Sequence, residues 1–115
     1  MRGVAGERTA LAFLTSCGWQ IEAHRFRLGR HDVDLIMTRG SVVAFVEVKT
    51  RASEAFGSPL EAVDWRKRRA IARVAEVWRL RHGRMDDEYR FDVVTVMQGN
   101  GGLTVEHIPD AWRLR

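Results

Sequence analysis

The sequence predicts an α/β fold: one mixed five-stranded sheet flanked by helices, in the order αβββαββ. Three observations lead there. Apolar residues recur with helical period in two separate stretches, near residues 5–16 and 61–81. Around them lie runs rich in Val, Ile, Thr and Phe, punctuated by glycine turns. One run, residues 42–50, is apolar on both alternating faces, as a central strand covered on each side must be.

The elements follow in order. In the first helix, Ala10, Phe13, Leu14 and Cys17 form a buried stripe, and Gly18 is placed to end it. Residues 19–27 alternate loosely as a first strand, with a turn around Gly29. Residues 33–38 form a second, and Arg39-Gly40-Ser41 turns the chain tightly into the third, so the three make an antiparallel meander. Residues 51–59 read as a loop broken by Gly57 and Pro59. The second helix buries Ile71, Val74, Ala75 and Trp78 and closes at His82-Gly83. Strands at 89–97 and 103–108 flank a hairpin turn at Gly99-Asn100-Gly101-Gly102. There is no repeat, low-complexity tract or linker, so residues 1–115 read as a single domain.

Composition narrows the function classes. Apolar residues make up 45% and charged ones 30%, ordinary values for a globular chain. The lone Cys17 forms no internal bridge, and His24, His31, His82 and His107 lack the paired spacing of a zinc cluster. A reducing, cytoplasmic setting fits this cysteine usage. No stretch is apolar enough to span a membrane, and the first residues lack a signal-peptide core, so no membrane partner is expected. The formal charge of +4 points toward a polyanion, with nucleic acid the natural partner. Almost all the basic residues are arginine; Lys49 and Lys67 are the only lysines among nineteen.

The third strand carries the chemistry. Val42, Ala44, Val46 and Val48 share one face, while Val43, Phe45, Glu47 and Lys49 share the other. Two charged groups therefore end a doubly covered strand, where burial costs several kcal/mol each unless they are paired or hold a metal. On the second strand, Val33 and Leu35 are expected to point one way and Asp32, Asp34 and Ile36 the other. Antiparallel pairing through the Gly40 turn would then set Asp34 beside Glu47. Adjacent carboxylates suit a hard divalent cation, Mg²⁺ or Mn²⁺, and Lys49 on the same face suits charge neutralisation or the positioning of water. The alternative is a structural ion-pair cluster or a solvated strand end.

Glu7 falls on the buried stripe of the first helix and sets a carboxylate there; the alternative is a first-turn residue that merely stabilises the helix through its dipole. The second helix opens on Trp65-Arg66-Lys67-Arg68-Arg69. Arg66, Lys67 and Arg69, with Arg51 after the third strand, are candidate phosphate contacts; the alternative is a solvated basic face. Asp92 reads as a turn residue or a supporting partner, and Trp19, Trp65, Trp78 and Trp112 as core or interface rather than base-stacking groups.

Together these residues carry a resemblance. Gly6-Glu7 with Ala10, Gly18-Trp19, Asp32-Val33-Asp34-Leu35-Ile36, Phe45-Val46-Glu47-Val48-Lys49-Thr50-Arg51, Phe56-Gly57-Ser58-Pro59, Lys67-Arg68 and Arg90-Phe91-Asp92 occur in that order. In this they resemble the YraN family of bacterial proteins (UPF0102). That family is similar to the PD-(D/E)XK restriction-endonuclease-like superfamily, especially archaeal Holliday-junction resolvases. The resemblance implies a restriction-endonuclease-like core, a metal site of Asp34 and Glu47, Lys49 as catalytic lysine and Glu7 as accessory acid. One departure stands out: His31-Asp32 replaces the family's usual Gly-Glu, which shortens a side chain beside the site.

The function expected on these grounds is Mg²⁺- or Mn²⁺-dependent hydrolysis of phosphodiesters in DNA, with branched or structured DNA among the substrates. The alternative is a non-catalytic nucleic-acid-binding or protein-interaction module on a nuclease fold. An exposed apolar segment at Ala111-Trp112 would suit a protein partner or a homodimer.

Overall fold

A computed structural model describes residues 2–51 and 63–113, with side chains from residue 5 onward. Its elements are α1 (Arg2–Ser16), β1 (Gln20–Leu28), β2 (His31–Arg39), β3 (Val42–Arg51), α2 (Trp65–His82), β4 (Glu88–Gly99) and β5 (Gly102–Ile108). The strands form one sheet in the order β1-β2-β3-β4-β5. Neighbours are antiparallel except β3 and β4, which run parallel, so the sheet is mixed. A parallel pair cannot be joined by a tight turn, and α2 lies within its connection. The fold is the α/β arrangement read from the sequence.

The helices cover opposite faces. Ala10 and Leu14 of α1 pack with Leu35, Met37, Ala44, Val46, Val94 and Val96. Ile71, Val74, Ala75 and Trp78 of α2 pack with Val33, Ile36, Val43, Phe45 and Val93. β3 therefore buries alternate residues in two different cores, which explains its double apolar face. Each fully buried Val, Leu or Phe stabilises the fold by roughly 1.5–3 kcal/mol, so β3 is its anchor and a rigid base for whatever it carries at its far end.

Helix ends follow local chemistry. Gly18 adopts φ +94°. Its N–H donates to the Thr15 carbonyl and that of Trp19 to the Leu14 carbonyl, each at 3.1 Å. This is the Schellman arrangement that favours glycine. Asp64 caps α2 by accepting from the Lys67 N–H at 2.9 Å.

Several expectations need correction. Cys17 is exposed, because α1 ends at Ser16 and the helical period no longer governs the next residue, while Phe13 is half-buried at the edge of the core under α1. Arg51 is the last residue of β3 rather than the first of a loop. Residues 52–59 of that expected loop, and the expected helix start at Glu61, lie outside the described residues. Val33 and Leu35 do not share a face: Val33 packs in the α2 core and Leu35 in the α1 core. Ala111-Trp112 is no exposed apolar segment, since Trp112 is 5% exposed and stacks on Phe91 with centroids 4.1 Å apart. The Ala111 N–H donates to the Phe91 carbonyl at 2.7 Å and folds the segment back onto the sheet. Among the described residues, no helix is long and apolar enough to cross a membrane.

Candidate active site

The β2–β3 ladder stops at Leu35 opposite Val46. One step further, Asp34 and Glu47 would face each other, and here side chains take over the ladder. The Asp34 N–H donates to Glu47 Oε2 at 3.3 Å, and the Val48 N–H donates to Asp34 Oδ2 at 2.8 Å. The other edge of β2 is irregular at the same place. His24 pairs with Leu35 and Phe26 with Val33, which sets Arg25 across from Asp34. Arg25 has φ +53°, a left-handed conformation that costs a non-glycine residue about 1–2 kcal/mol. Strain and broken pairing thus converge on Asp34, which is where Val33 and Leu35 part to opposite cores.

The carboxylates are under-supplied with donors. Glu47 is 2% exposed and Asp34 half-buried. An ionised carboxylate offers about four lone-pair sites. Glu47 accepts from the Asp34 N–H and from Lys67 Nζ at 2.8 Å, while Asp34 accepts from the Val48 N–H. Burial, followed by the charge of Glu47, pushes the Asp34 carboxyl up to about 7, and the two acids are close enough to hydrogen-bond to one another. Lys49 is held below its ordinary value, first by burial and then by the adjacent Lys67 ammonium. For Lys67, burial is outweighed by Glu47, whose charge and hydrogen bond raise it above its ordinary value. The only two lysines of the chain therefore meet at one acid pair. Arginine cannot stand in there, since a guanidinium is permanently charged and forked whereas an ammonium is compact and tunable.

Glu7 approaches from α1. Gly6 lies so close to Thr50 that any Cβ there would collide with the Thr50 hydroxyl, and this contact sets Glu7 beside the end of β3. Its charge adds to the rise in Asp34. Glu7 is 6% exposed and occupied, however: His24 Nε2 lies 2.8 Å from Oε1, and Arg25 reaches both oxygens at 3.1 Å. Burial alone would raise its carboxyl, but the Arg25 and His24 hydrogen bonds hold it below its ordinary value.

Of the residues singled out in the sequence, Asp34, Glu47, Lys49 and Lys67 come together, with Glu7 at their edge. Arg66 and Arg69 lie exposed on the flank, over the Trp65 ring. Arg51 ends β3 beside a groove lined by Gly6, Thr9, Thr50 and Leu103. Asp32 pairs across to Arg27. His24 and Arg25, the partners of Glu7, carried no signal in the sequence. Lys67 did: it lies four residues before Ile71 and seven before Val74, on the inward stripe of α2.

Among the described residues, no group of three or more Asp, Glu, His or Cys converges as a metal cluster. The acids nevertheless suit a hard cation that keeps most of its waters. Two adjacent carboxylates with spare lone pairs are the donor set by which Mg²⁺ is commonly held, the remaining positions going to water and phosphate oxygens.

Residues 6–96 match the profile of the Uncharacterised protein family UPF0102, a span that holds every member of the site from Glu7 to Lys67. The chain belongs to the UPF0102 family. It is 42% identical over 110 residues to a UPF0102 protein of Anaeromyxobacter dehalogenans, covering 96% of this chain and 82% of that one. It is 41% identical over 111 residues to a UPF0102 protein of Rhodococcus jostii, with 96% and 94% covered. A UPF0102 protein of Symbiobacterium thermophilum is 44% identical over 100 residues, with 87% and 85% covered. The UPF0102 match thus runs from within α1 to within β4, the frame that carries Glu7, Asp34, Glu47, Lys49 and Lys67.

Proposed function

We propose that this UPF0102 protein is a divalent-metal-dependent nuclease that hydrolyses phosphodiester bonds of DNA, on a core of restriction-endonuclease type. The observation that carries the reading is the Asp34–Glu47 pair. Two carboxyl groups meet at the end of the central strand, in surroundings that raise Asp34 to about 7, with both lysines of the chain against them. A purely structural cluster would be expected to satisfy its acids, as this chain does with Glu7.

Asp34 and Glu47 would hold Mg²⁺ or Mn²⁺, which when bound supplies an acidified water and neutralises charge on the phosphate. The Val48 N–H and the fixed end of β3 orient the acids so that little reorganisation accompanies binding. Lys49, its ammonium held below the ordinary value, positions the attacking water or faces the charge that builds on the phosphate. Lys67 on Glu47 neutralises the acid before a cation arrives and is then free to meet a phosphate oxygen. Glu7, fixed by Arg25, strengthens the negative field at Asp34 and so favours a cation there.

The test incubates the chain with labelled branched, flap, single-stranded and duplex DNA, in Mg²⁺, Mn²⁺ or EDTA, beside Lys49→Ala. Metal-dependent cleavage lost in the variant is the expected result. Binding without cleavage in every condition would overturn the reading in favour of a non-catalytic module.

A further inference from the structure

Trp65 is unlike the other tryptophans. Trp19, Trp78 and Trp112 are at most 8% exposed, whereas Trp65, the first residue of α2, is 63% exposed. A single exposed hydrophobic residue is ordinary on a protein surface, so the surroundings of Trp65 decide what it does. The Arg66 and Arg69 guanidinium carbons lie 5.7 and 6.0 Å from its ring centroid. With His31, Ala70 and Arg73, these three residues line a shallow concavity of about 190 Å³. That is less than a drug-sized ligand needs, and fits one planar ring system.

Among the described residues, Arg66, Arg69 and Arg73 are the charged side chains that line the concavity, all of one sign. α2 carries no acidic residue before Glu76, although its opening turn, the positive end of the helix, favours acids. Asp64 at the cap is engaged by the Lys67 N–H. Among the described residues, Arg66, Arg69 and Arg73 meet no carboxylate within ion-pair distance. Cations gathered where the helix disfavours them call for a polyanion. A protein-docking patch would add further apolar anchors, but Ile21, Leu80, Met85 and Leu103, the other large exposed hydrophobics, all lie outside the concavity.

The platform adjoins the acid pair from two sides. Lys67, two residues after Trp65, reaches Glu47. His31, on the concavity, lies three residues before Asp34 on β2, or about 10 Å along an extended strand. A strand whose backbone passes the Asp34–Glu47 site would bring a base within a nucleotide or two onto the indole.

We propose that Trp65, flanked by Arg66 and Arg69, is a stacking platform for an unpaired nucleobase of a strand whose backbone passes the Asp34–Glu47 site. It rests on the nuclease reading for the Asp34–Glu47 site, and names the substrate class: nucleic acid with unpaired bases, such as single strands and flaps, in preference to continuous duplex. Aromatic stacking gives affinity without sequence preference, because every base has a π-face.

The experiment measures binding of the whole chain, in EDTA, to a labelled single strand, the same strand with abasic sites, and a blunt duplex. Circular dichroism confirms that each variant is folded. Wild type should bind the single strand in preference to the duplex, with quenching of its exposed tryptophan emission. Trp65→Ala should weaken single-strand binding about tenfold or more, Trp65→Phe should retain most of it, and the abasic strand should bind wild type as weakly as the intact strand binds Trp65→Ala. Single-strand binding unchanged in Trp65→Ala, or absent from wild type, would overturn the platform. So would a Trp65→Ala variant altered only in its sedimentation, which would mark a protein contact instead. Because binding is read without metal and cleavage in a separate assay with it, a chain that cleaves but shows no Trp65 effect loses only the platform. One that shows the effect but never cleaves loses only the nuclease reading.

Discussion

Asp92 and Asp34 are both aspartates on inner strands of one sheet, and their surroundings are opposite. Asp92 is fully buried and saturated. Arg90 donates to it through Nε at 3.0 Å and Nη2 at 2.8 Å, His107 Nε2 lies at 2.7 Å, and the Asp110 N–H donates at 2.9 Å. Burial would raise its carboxyl, but the His107, Arg90 and Asp110 hydrogen bonds override it and hold Asp92 below its ordinary value. Asp34 receives one backbone N–H and faces a second acid, and its carboxyl rises to about 7. This fold can evidently supply a buried acid with donors, and at Asp34 it withholds them. The Asp92 cluster ties β4 to β5 and to the segment after it; the Asp34–Glu47 pair costs the fold stability, and on the proposed reading it is the cation it would bind that accounts for it.

The largest expected effect lies at the acid pair. Asp34→Asn should lower metal-dependent cleavage at least a hundredfold while leaving the thermal midpoint unchanged or higher. Loss of activity only in proportion to loss of fold would erase the contrast with Asp92. Next, Asp92→Asn leaves Arg90 and His107 facing a neutral amide in a buried site, and should destabilise the chain by about 3–5 kcal/mol. Denaturant unfolding reads this, and cleavage per folded molecule should stay as in wild type.

The pH dependence sharpens the same comparison. Without metal, folded Asp34 keeps a proton that the unfolded chain releases near 3.8, so stability should fall as pH rises from about 4 to 7 and then level off. Asp34→Asn should remove that slope and be the more stable protein at pH 8. Asp92 acts in the other sense: its contribution is present above its unfolded value and lost as pH falls toward the lowered folded one. Urea midpoints from pH 3 to 8 for wild type and both variants separate the two. The smallest effect is at Glu7. Glu7→Gln removes a charge that raises Asp34, so the midpoint of the Asp34-linked slope should move to lower pH. A midpoint that stays in place would detach Glu7 from the site.

Much of this was legible in the sequence, for physical reasons. The double apolar face of residues 42–50 required a covered central strand, and the Gly40 turn, with φ +61°, set the register that brings Asp34 to Glu47. Alternation could not show where pairing breaks, so Val33 was expected on the wrong face. The Glu7–Arg25 pair joins α1 to β1, and such a long-range contact leaves no local pattern. Lys67 was legible by helical period, but the run of cations around it resembled one outward face. Trp112 was misjudged because burial of an aromatic near the end of the sequence depends on the Phe91 ring beneath it, again a tertiary fact.

The most direct measurement is a Mn²⁺ titration at pH 7.5, by calorimetry or electron paramagnetic resonance, of wild type beside Asp34→Asn. The expected result is saturable Mn²⁺ binding by the folded wild-type chain, competed by Mg²⁺ and abolished in Asp34→Asn although that variant is at least as stable. No saturable binding to wild type, or equal binding to Asp34→Asn, would contradict the claim that this acid pair is kept for a cation.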